Sequence, residues 1–375
     1  MRRQVTLRIL RRLGWIGVAT MLALCAVTAG ADIPKTISDK EYWSLITELS
    51  ETGGVFPLQF MSNEDSAQFV IPKLKDSVKK SGVYIGVGSE QNFTYLAAIE
   101  PRLAFIVDIR RDNMIEHLMY KALFEMSSDR ADFVSRLFAR RRPSGLNEKS
   151  SVQALFDAYH TVNVDERYYG ENLQAVIDRL QKTHGFALTD TDKTDIGRMM
   201  SAFRTAGPDS LKGFGDTTNP PYAQLMSAAD LDGRQQSYLA SEERFKIVEA
   251  LERKNLVVPV VGDFAGTKAL AGIGEYLKSH NAVVNAFYVS NVERYLFDQG
   301  DHGKVFYSNV TKIPREQSSL FIRSVTSDIS VRLGIPIPAS TAKWRTFLFS
   351  INDCLDAYNG GKIPSYKELF AAGRL

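Results

Sequence analysis

The sequence has only two cysteines among its 375 residues, and this scarcity excludes several kinds of site. Cys25 lies in an apolar N-terminal stretch, so a chain that has lost this stretch keeps only Cys354 and cannot form an intrachain disulfide. No Gly-x-Ser-x-Gly motif occurs, and no hydrolase triad can be inferred. We expect no metal cofactor, because the histidines show no metal-ligand spacing; they are His117, His160, His184, His280 and His302.

The chain also lacks a large excess of charge of either sign. It has 46 Lys and Arg against 43 Asp and Glu, a formal charge of +3. The first 31 residues hold five of the arginines and no acid, so the remainder carries 41 basic against 43 acidic residues, a formal −2. The small positive balance therefore belongs to the N-terminal stretch, and we expect no nucleic-acid partner.

Residues 1–31 are typical of a secretory signal peptide. Five arginines precede an apolar run, Trp15–Val27, and Ala29-Gly30-Ala31 provides a small-residue cleavage site before Asp32. The apolar run is shorter than the roughly 20 residues that a spanning helix needs. We therefore predict a periplasmic or secreted protein. The alternative is an uncleaved signal that anchors the chain in the inner membrane, which would be its only contact with a membrane.

The stretch Gly82–Asn113 predicts one strand–loop–helix–strand unit. A short apolar run ends in Gly86-Val87-Gly88, where paired glycines allow a tight turn and a close approach to a ligand. A second apolar run, Leu103–Val107, is followed directly by Asp108, which lies 22 residues after Gly86. This spacing suits a glycine loop followed by an acid that accepts hydrogen bonds from a ribose.

The rest of the chain predicts one α/β domain over residues 32–375. Strand-like runs stop after Asp108 and resume at Leu256–Val261, so we interpret residues 127–250 as a helical insertion, and we expect residues 150–250 to cover the carboxyl edge of the sheet. Pro259 within the resumed run indicates an edge strand or a bulge.

Further strands are predicted at Ala282–Val289, Lys304–Val310 and Leu320–Val325, followed by loop and helix over residues 335–375. Strands that alternate with helices and are apolar on both faces predict a mainly parallel sheet.

At Gly82–Asn113 the sequence resembles the nucleotide-binding half of class I S-adenosylmethionine-dependent methyltransferases. From about Ser38 to Trp344 it resembles an uncharacterised bacterial family with a methyltransferase-like, Rossmann-like fold. Two positions depart from the methyltransferase pattern: Glu90 replaces the third glycine, and Tyr84 replaces the usual acid two residues before the first glycine. The predicted cofactor-binding residues are Gly86, Gly88, Glu90, Gln91, Asn92, Asp108, Ile109 and Arg110. The resemblance implies that Asp108 binds the ribose hydroxyls of the cofactor and that Ile109 and Arg110 flank its adenine.

Ligands of open α/β sheets lie beyond the carboxyl ends of the strands, so polar residues at other strand ends become candidates for substrate binding. These are Asp263, Ser290 and Asn291. Asn63 and Glu64, at the start of the predicted helix before the first strand, are further candidates because that segment directly precedes the strand. If a general base is used, Glu293 and Asp263 are the candidates.

The function expected from these features is an exported methyltransferase-like protein that binds a nucleoside-type small molecule, with S-adenosylmethionine as the implied cofactor. If the protein is an enzyme, it is an S-adenosylmethionine-dependent methyltransferase. The alternative is a non-catalytic exported ligand-binding or interaction protein on a degenerate methyltransferase fold.

Overall fold

The computed structural model describes residues 32–57, 60–210, 218–334, 342–370 and 374–375. The predicted signal peptide, residues 1–31, lies outside these ranges. Within them, no helix combines the length and the apolar character that a membrane span requires.

A six-stranded sheet forms the centre of the molecule. Its strands are β1 (Val83–Gly86), β2 (Leu103–Asp108), β3 (Val257–Val261), β4 (Val284–Ser290), β5 (Arg315–Thr326) and β6 (Trp344–Ser350). They lie in the order β3-β2-β1-β4-β5-β6, and only β6 runs antiparallel to its neighbour. Strands β1 to β3 are buried at every position, as expected for parallel strands covered on both faces. The architecture is a mainly parallel α/β sheet, consistent with a Rossmann-like fold.

Sixteen α-helices surround the sheet in the described part of the chain. The first eight are α1 (Asp39–Leu49), α2 (Ile71–Ser77), α3 (Gln91–Ile99), α4 (Arg111–Met126), α5 (Arg130–Phe138), α6 (Val152–His160), α7 (Glu166–Asp178) and α8 (Asp190–Ala206). The others are α9 (Tyr222–Ser227), α10 (Glu242–Arg253), α11 (Ala269–Ser279), α12 (Val292–Phe297), α13 (His302–Lys312), α14 (Ser327–Arg332), α15 (Ile351–Asn359) and α16 (Tyr366–Leu369).

Helices α4 to α10 all lie between β2 and β3 in sequence. They pack onto one another and onto α3 through a cluster of aromatic rings. The ring of Phe124 lies 4.7 Å from that of Phe133 and 5.2 Å from that of Phe245, and Phe93 of α3 lies 5.4 Å from Tyr238. This apolar contact fixes the helical region beside α3 and α4.

Both edges of the sheet are contacted by segments from near the two ends of the chain. At edge strand β3, the hydroxyl of Tyr42 donates to Val257 O at 2.8 Å, and Glu51 N donates to Val261 O at 3.0 Å. At edge strand β6, Leu375 N donates to Leu348 O at 3.0 Å. Pro259 lies within β3, so the prediction of an edge strand from this proline is confirmed.

Two predictions for the late part of the chain are wrong. Lys304–Val310 belongs to helix α13, where Phe306, Tyr307 and Val310 are buried together at helical spacing. The stretch 344–350, predicted as loop or helix, is the fully buried strand β6.

Candidate active site or ligand-binding site

A cavity of about 500 Å³ opens at the carboxyl ends of the parallel strands. Its wall includes Gly88 just after β1, Asp108 at the end of β2, Gly262 just after β3 and Ser290 at the end of β4. The carboxyl edge beside a change in strand order is where open α/β sheets place their ligands. The topology therefore brings residues that are far apart in sequence to one concave surface.

Ten of the residues predicted from the sequence lie on the wall of this cavity: Asn63, Glu64, Gly88, Gln91, Asp108, Ile109, Arg110, Asp263, Ser290 and Asn291. Four do not, although the structure describes them: Gly86, Glu90, Asn92 and Glu293. For each of these four residues, the surrounding side chains explain why it does not line the cavity.

The turn after β1 is held in shape by Asn92. Its side-chain Nδ2 donates to the carbonyl oxygens of Val87, Gly88 and Ser89 at 3.0, 3.1 and 2.7 Å. Asn92 is fully buried, so its amide clamps the turn from behind rather than facing the cavity. Gly88 itself has φ +76°, a conformation that glycine adopts at no steric cost.

Gly86 is needed for packing. A Cβ built on Gly86 would lie 1.9 Å from Oδ1 of Asn92 and 2.7 Å from the ring of Tyr84. The space that a side chain would need is therefore filled by the clamp, and the glycine contributes to the site only through the turn that it makes possible.

Glu90, at the position of the third glycine, is also fully buried. Both of its carboxylate oxygens accept from Ser62 N at 3.1 Å. Ser62 and its neighbour Asn63 line the cavity, so Glu90 fixes a wall segment from behind. Asn63 is held in turn, because its Nδ2 donates to Oδ1 of Asn219 at 2.9 Å.

Asp108, the predicted ribose acceptor, forms a buried ion pair with Arg110. Its Oδ1 accepts from the backbone N of Arg110 at 2.9 Å and from Nε at 3.2 Å, and its Oδ2 lies 3.4 Å from Nη2. Burial raises the pKa of Asp108 above its ordinary value, although the charge and hydrogen bonds of Arg110 oppose this shift. Arg110 also lies 3.5 Å from Asp112. A ligand at Asp108 would share its carboxylate with Arg110.

The opposite wall contains Glu64 and Ser290. The hydroxyls of Ser290 and Ser324 both donate to Glu64, the second at 2.5 Å, so this buried carboxylate joins the ends of β4 and β5. Ser290 has φ +50°, an uncommon value for a residue other than glycine. Such strained positions are found at functional sites, which supports a role for this strand end.

Asp263 lies in the loop after β3, where its Oδ1 accepts from Ala265 N at 2.8 Å. This bond shapes the loop and leaves the half-buried carboxyl on the cavity wall. Of the two candidate bases, Asp263 is the one that can reach a ligand.

Glu293, the other candidate base, is directed away from the cavity. It is 1% exposed and accepts from Nε and Nη2 of Arg323 at 2.6 and 3.0 Å, and from the hydroxyl of Tyr307 at 2.9 Å. The Arg323 guanidinium lies between the rings of Phe321 and Phe349, 4.4 and 4.6 Å from their centroids. Glu293 therefore joins α12, α13 and β5 and is not available as a base.

Sequence reasoning missed several aromatic and cationic residues of the wall, including Phe56, Arg294, Tyr295 and Trp344. The rings of Phe56 and Tyr295 meet edge-to-face at 5.2 Å, which brings the segment before β1 against helix α12. The only available sequence signal was that Arg294 and Tyr295 follow a strand end directly.

The described part of the helical region does not line this wall. Among the described residues, none between Arg111 and Val261 lines the cavity, and the segments around Phe56 and Tyr295 contribute to the wall instead. Asn219 of this region bonds to Asn63 of the wall, and the expectation that residues 150–250 cover the carboxyl edge stays a prediction.

The chain matches DUF7790, a domain of unknown function, over residues 59–356. It belongs to this family. The matched segment contains all six strands and every wall residue named above except Phe56. None of the curated proteins compared with the chain matches it.

Proposed function

We propose that this protein binds a nucleoside-type small molecule in the cavity at the carboxyl edge of the sheet, with S-adenosylmethionine as the first candidate. The observation that carries the proposal is that the glycine turn and Asp108 lie on one cavity wall, at the ends of adjacent strands β1 and β2. A glycine turn allows close approach of the backbone, and a carboxylate next to it suits vicinal hydroxyls.

A methyltransferase-like fold is the finer form of this proposal. It is supported by the strand order β3-β2-β1-β4-β5-β6 and by the position of the cavity where that order reverses. Methyl transfer depends chiefly on positioning two reactants in a dry site, so the loss of Glu293 as a base does not exclude it. Asp263 remains the candidate base.

The second candidate function is a non-catalytic ligand-binding protein on the same fold. It is favoured by the Asp108–Arg110 ion pair, which already occupies much of the carboxylate that a ribose would need. Tyr84 and Glu90 favour it too, because both replace expected motif residues and both are buried in structural roles. Fold alone does not decide between these functions.

For localisation, we propose a periplasmic or secreted protein, on the pattern of residues 1–31. N-terminal sequencing of the protein from its native cells is expected to begin at or near Asp32. An intact Met1 on a protein confined to the cytosol would contradict export.

Calorimetric titration with S-adenosylmethionine, S-adenosylhomocysteine and adenosine tests the ligand proposal. We expect wild type to bind and Asp108→Asn to bind about tenfold more weakly or worse, because hydrogen bonds to a charged group contribute roughly 1.5–3 kcal/mol. Asp112→Asn is the matched control, since this neighbouring acid also faces Arg110 but does not line the cavity.

Two results would overturn the proposal in different ways. Unchanged affinity in Asp108→Asn would remove Asp108 from the site. Failure of wild type to bind either S-adenosylmethionine or S-adenosylhomocysteine at millimolar concentration would end the methyltransferase assignment and leave the non-catalytic binding protein. Thermal unfolding of each variant is measured in parallel, because Asp108→Asn also weakens a buried ion pair.

A further inference from the structure

Helix α4 carries a second group of polar side chains, which the cavity does not use. Asn113, Glu116, His117 and Tyr120 recur at i, i+3, i+4 and i+7, so they share one face of the helix. Each is at most 2% exposed. We call these four residues the inner polar cluster. Polar groups buried this completely are normally hydrogen-bonded, so each polar atom of the cluster is expected to have a partner.

Five polar atoms of the inner polar cluster have no hydrogen-bond partner in the described ranges. They are Nδ2 and Oδ1 of Asn113, Oε1 of Glu116, Nδ1 of His117 and the hydroxyl of Tyr120. Leaving a buried polar group unsatisfied costs roughly 1–3 kcal/mol. So many unsatisfied atoms on one interior face indicate that a polar guest belongs there.

The hydrogen-bonding character of these atoms restricts the guest. Nε2 of His117 lies 2.8 Å from Gly88 O; a carbonyl oxygen only accepts, so Nε2 carries the proton and Nδ1 is a free acceptor. Asn113 Oδ1, Glu116 Oε1 and the Tyr120 oxygen add three more acceptors, and the donors among the five atoms are Asn113 Nδ2 and the rotatable O–H of Tyr120. The guest must therefore be mainly a donor.

The charges around the cluster restrict the guest further. The charge of the buried Glu90 carboxylate acts on Glu116, as do the charges of Arg110, Asp112 and Asp108. Burial and the charge of Glu90 raise the pKa of Glu116 well above its ordinary value, although Arg110 opposes the shift. A cation would relieve this repulsion. The described residues contain no group of three or more His, Cys, Asp or Glu suited to a metal ion.

We propose that the inner polar cluster binds a small protonated amine, of which ammonium is the simplest. An ammonium group presents only N–H donors and one positive charge, which suit a helix face rich in acceptors that includes the buried acid Glu116. The site lies directly behind the glycine turn, because His117 bonds to Gly88 and Gly88 lines the cavity. The amine can be a free ion or the amino group of a cavity ligand. The proposal does not depend on nucleoside binding.

Titration of the full chain with ¹⁵N-ammonium chloride, against sodium chloride at equal ionic strength, tests this site. We expect a bound ammonium signal in ¹⁵N-edited NMR whose protons are protected from solvent exchange, and a melting temperature that rises with ammonium but not with sodium. Glu116→Gln, which keeps the shape and removes the charge, is expected to lose both. Glu48→Gln, at an exposed position of α1, is the matched control and is expected to keep both.

Competition identifies the source of the amine. If S-adenosylhomocysteine, which has an amino-acid amine, displaces the bound ammonium while adenosine does not, the amine belongs to a cavity ligand. If neither displaces it, the site binds a free ion. Absence of a protected signal, with equal melting temperatures in ammonium and sodium, would overturn the proposal, as would full binding by Glu116→Gln. If Glu116→Gln does not fold, the wild-type spectrum decides.

Discussion

The hydroxyl of Tyr84 donates a hydrogen bond of 2.8 Å to Oδ1 of Asn92, across the turn that joins β1 to α3. Both side chains are fully buried. A tyrosine therefore stands where the methyltransferase pattern has an acid, and it orients the amide that holds three carbonyl oxygens of the turn. The shape of the glycine turn thus depends on a pair of side chains that never reach the cavity.

Asn92→Ala should destabilise the protein by about 2–4 kcal/mol, because several buried carbonyl groups and the Tyr84 hydroxyl lose their partner together. Tyr84→Phe removes only one hydrogen bond and should cost about 0.5–1.5 kcal/mol. Urea unfolding followed by circular dichroism measures both. Equal effects of the two substitutions would contradict the view that Asn92 is the main clamp.

Gly86→Ala should lower the free energy of unfolding by about 1–3 kcal/mol or more, since its Cβ would overlap Asn92 and Tyr84 in a filled interior. Gly170→Ala is the control. It lies within α7 with no atom near its added Cβ, and should instead stabilise by about 0.5–1 kcal/mol. If Gly86→Ala leaves the free energy of unfolding unchanged, the turn tolerates a side chain at this position.

Glu293→Gln should destabilise by roughly 3–5 kcal/mol, because it leaves the buried Arg323 guanidinium without its counter-charge. Asp328→Asn breaks the ion pair between Asp328 and Arg332, whose side chains are 71% and 68% exposed respectively, and should leave the free energy of unfolding nearly unchanged. Chemical denaturation of both variants checks the contrast. If Glu293→Gln instead changes stability only slightly but impairs turnover of a ligand, Glu293 becomes a catalytic candidate again.

Stability should depend on pH through Glu252, whose pKa burial raises to about 8 despite the nearby charge of Lys121. The folded protein then binds more protons than the unfolded chain between the ordinary glutamate pKa and about 8. The free energy of unfolding should therefore fall as pH rises through this window, by up to about 1.4 kcal/mol per pH unit.

Glu252→Gln should remove this slope, whereas Glu243→Gln, at an exposed position of the same helix, should retain it. Thermal unfolding across the pH range compares the two variants with wild type. A wild-type slope that persists in Glu252→Gln would assign the pH dependence to another group.

The unit from β1 to β2 is predictable from sequence because its signals are local. The apolar run before Gly86, the paired glycines and the apolar run before Asp108 each act over a few residues. Pro259 is informative for the same reason, since a residue without an N–H fits best where one side of the strand has no neighbour.

Strand β6 is not predictable in this way. Arg345 and Thr346 interrupt its apolar pattern, yet both are buried. In addition, no tight turn between β5 and β6 indicates in the sequence that these two strands pair. The error at α13 has a similar origin, because Phe306, Tyr307 and Val310 suit a strand as well as a buried helix face. Only tertiary packing decides between these structures.

The cavity was predictable in location but not in composition. Asp108 and Asp263 could be assigned to its edge because each follows a strand. The same argument assigned Glu293 to the site, and failed because the helix turns that side chain toward Arg323. Phe56 contacts Tyr295 although the two lie far apart in sequence, so no local signal could have paired them.

The contacts at the two sheet edges bear on the tendency of this chain to aggregate. An exposed edge strand offers unpaired backbone groups to another chain, and native proteins protect such edges. Here residues 42–51 bond to β3 and residues 374–375 bond to β6. All of these residues lie outside the family match of 59–356. A chain trimmed to that match would keep every strand but expose both edges, and would be the form prone to aggregation.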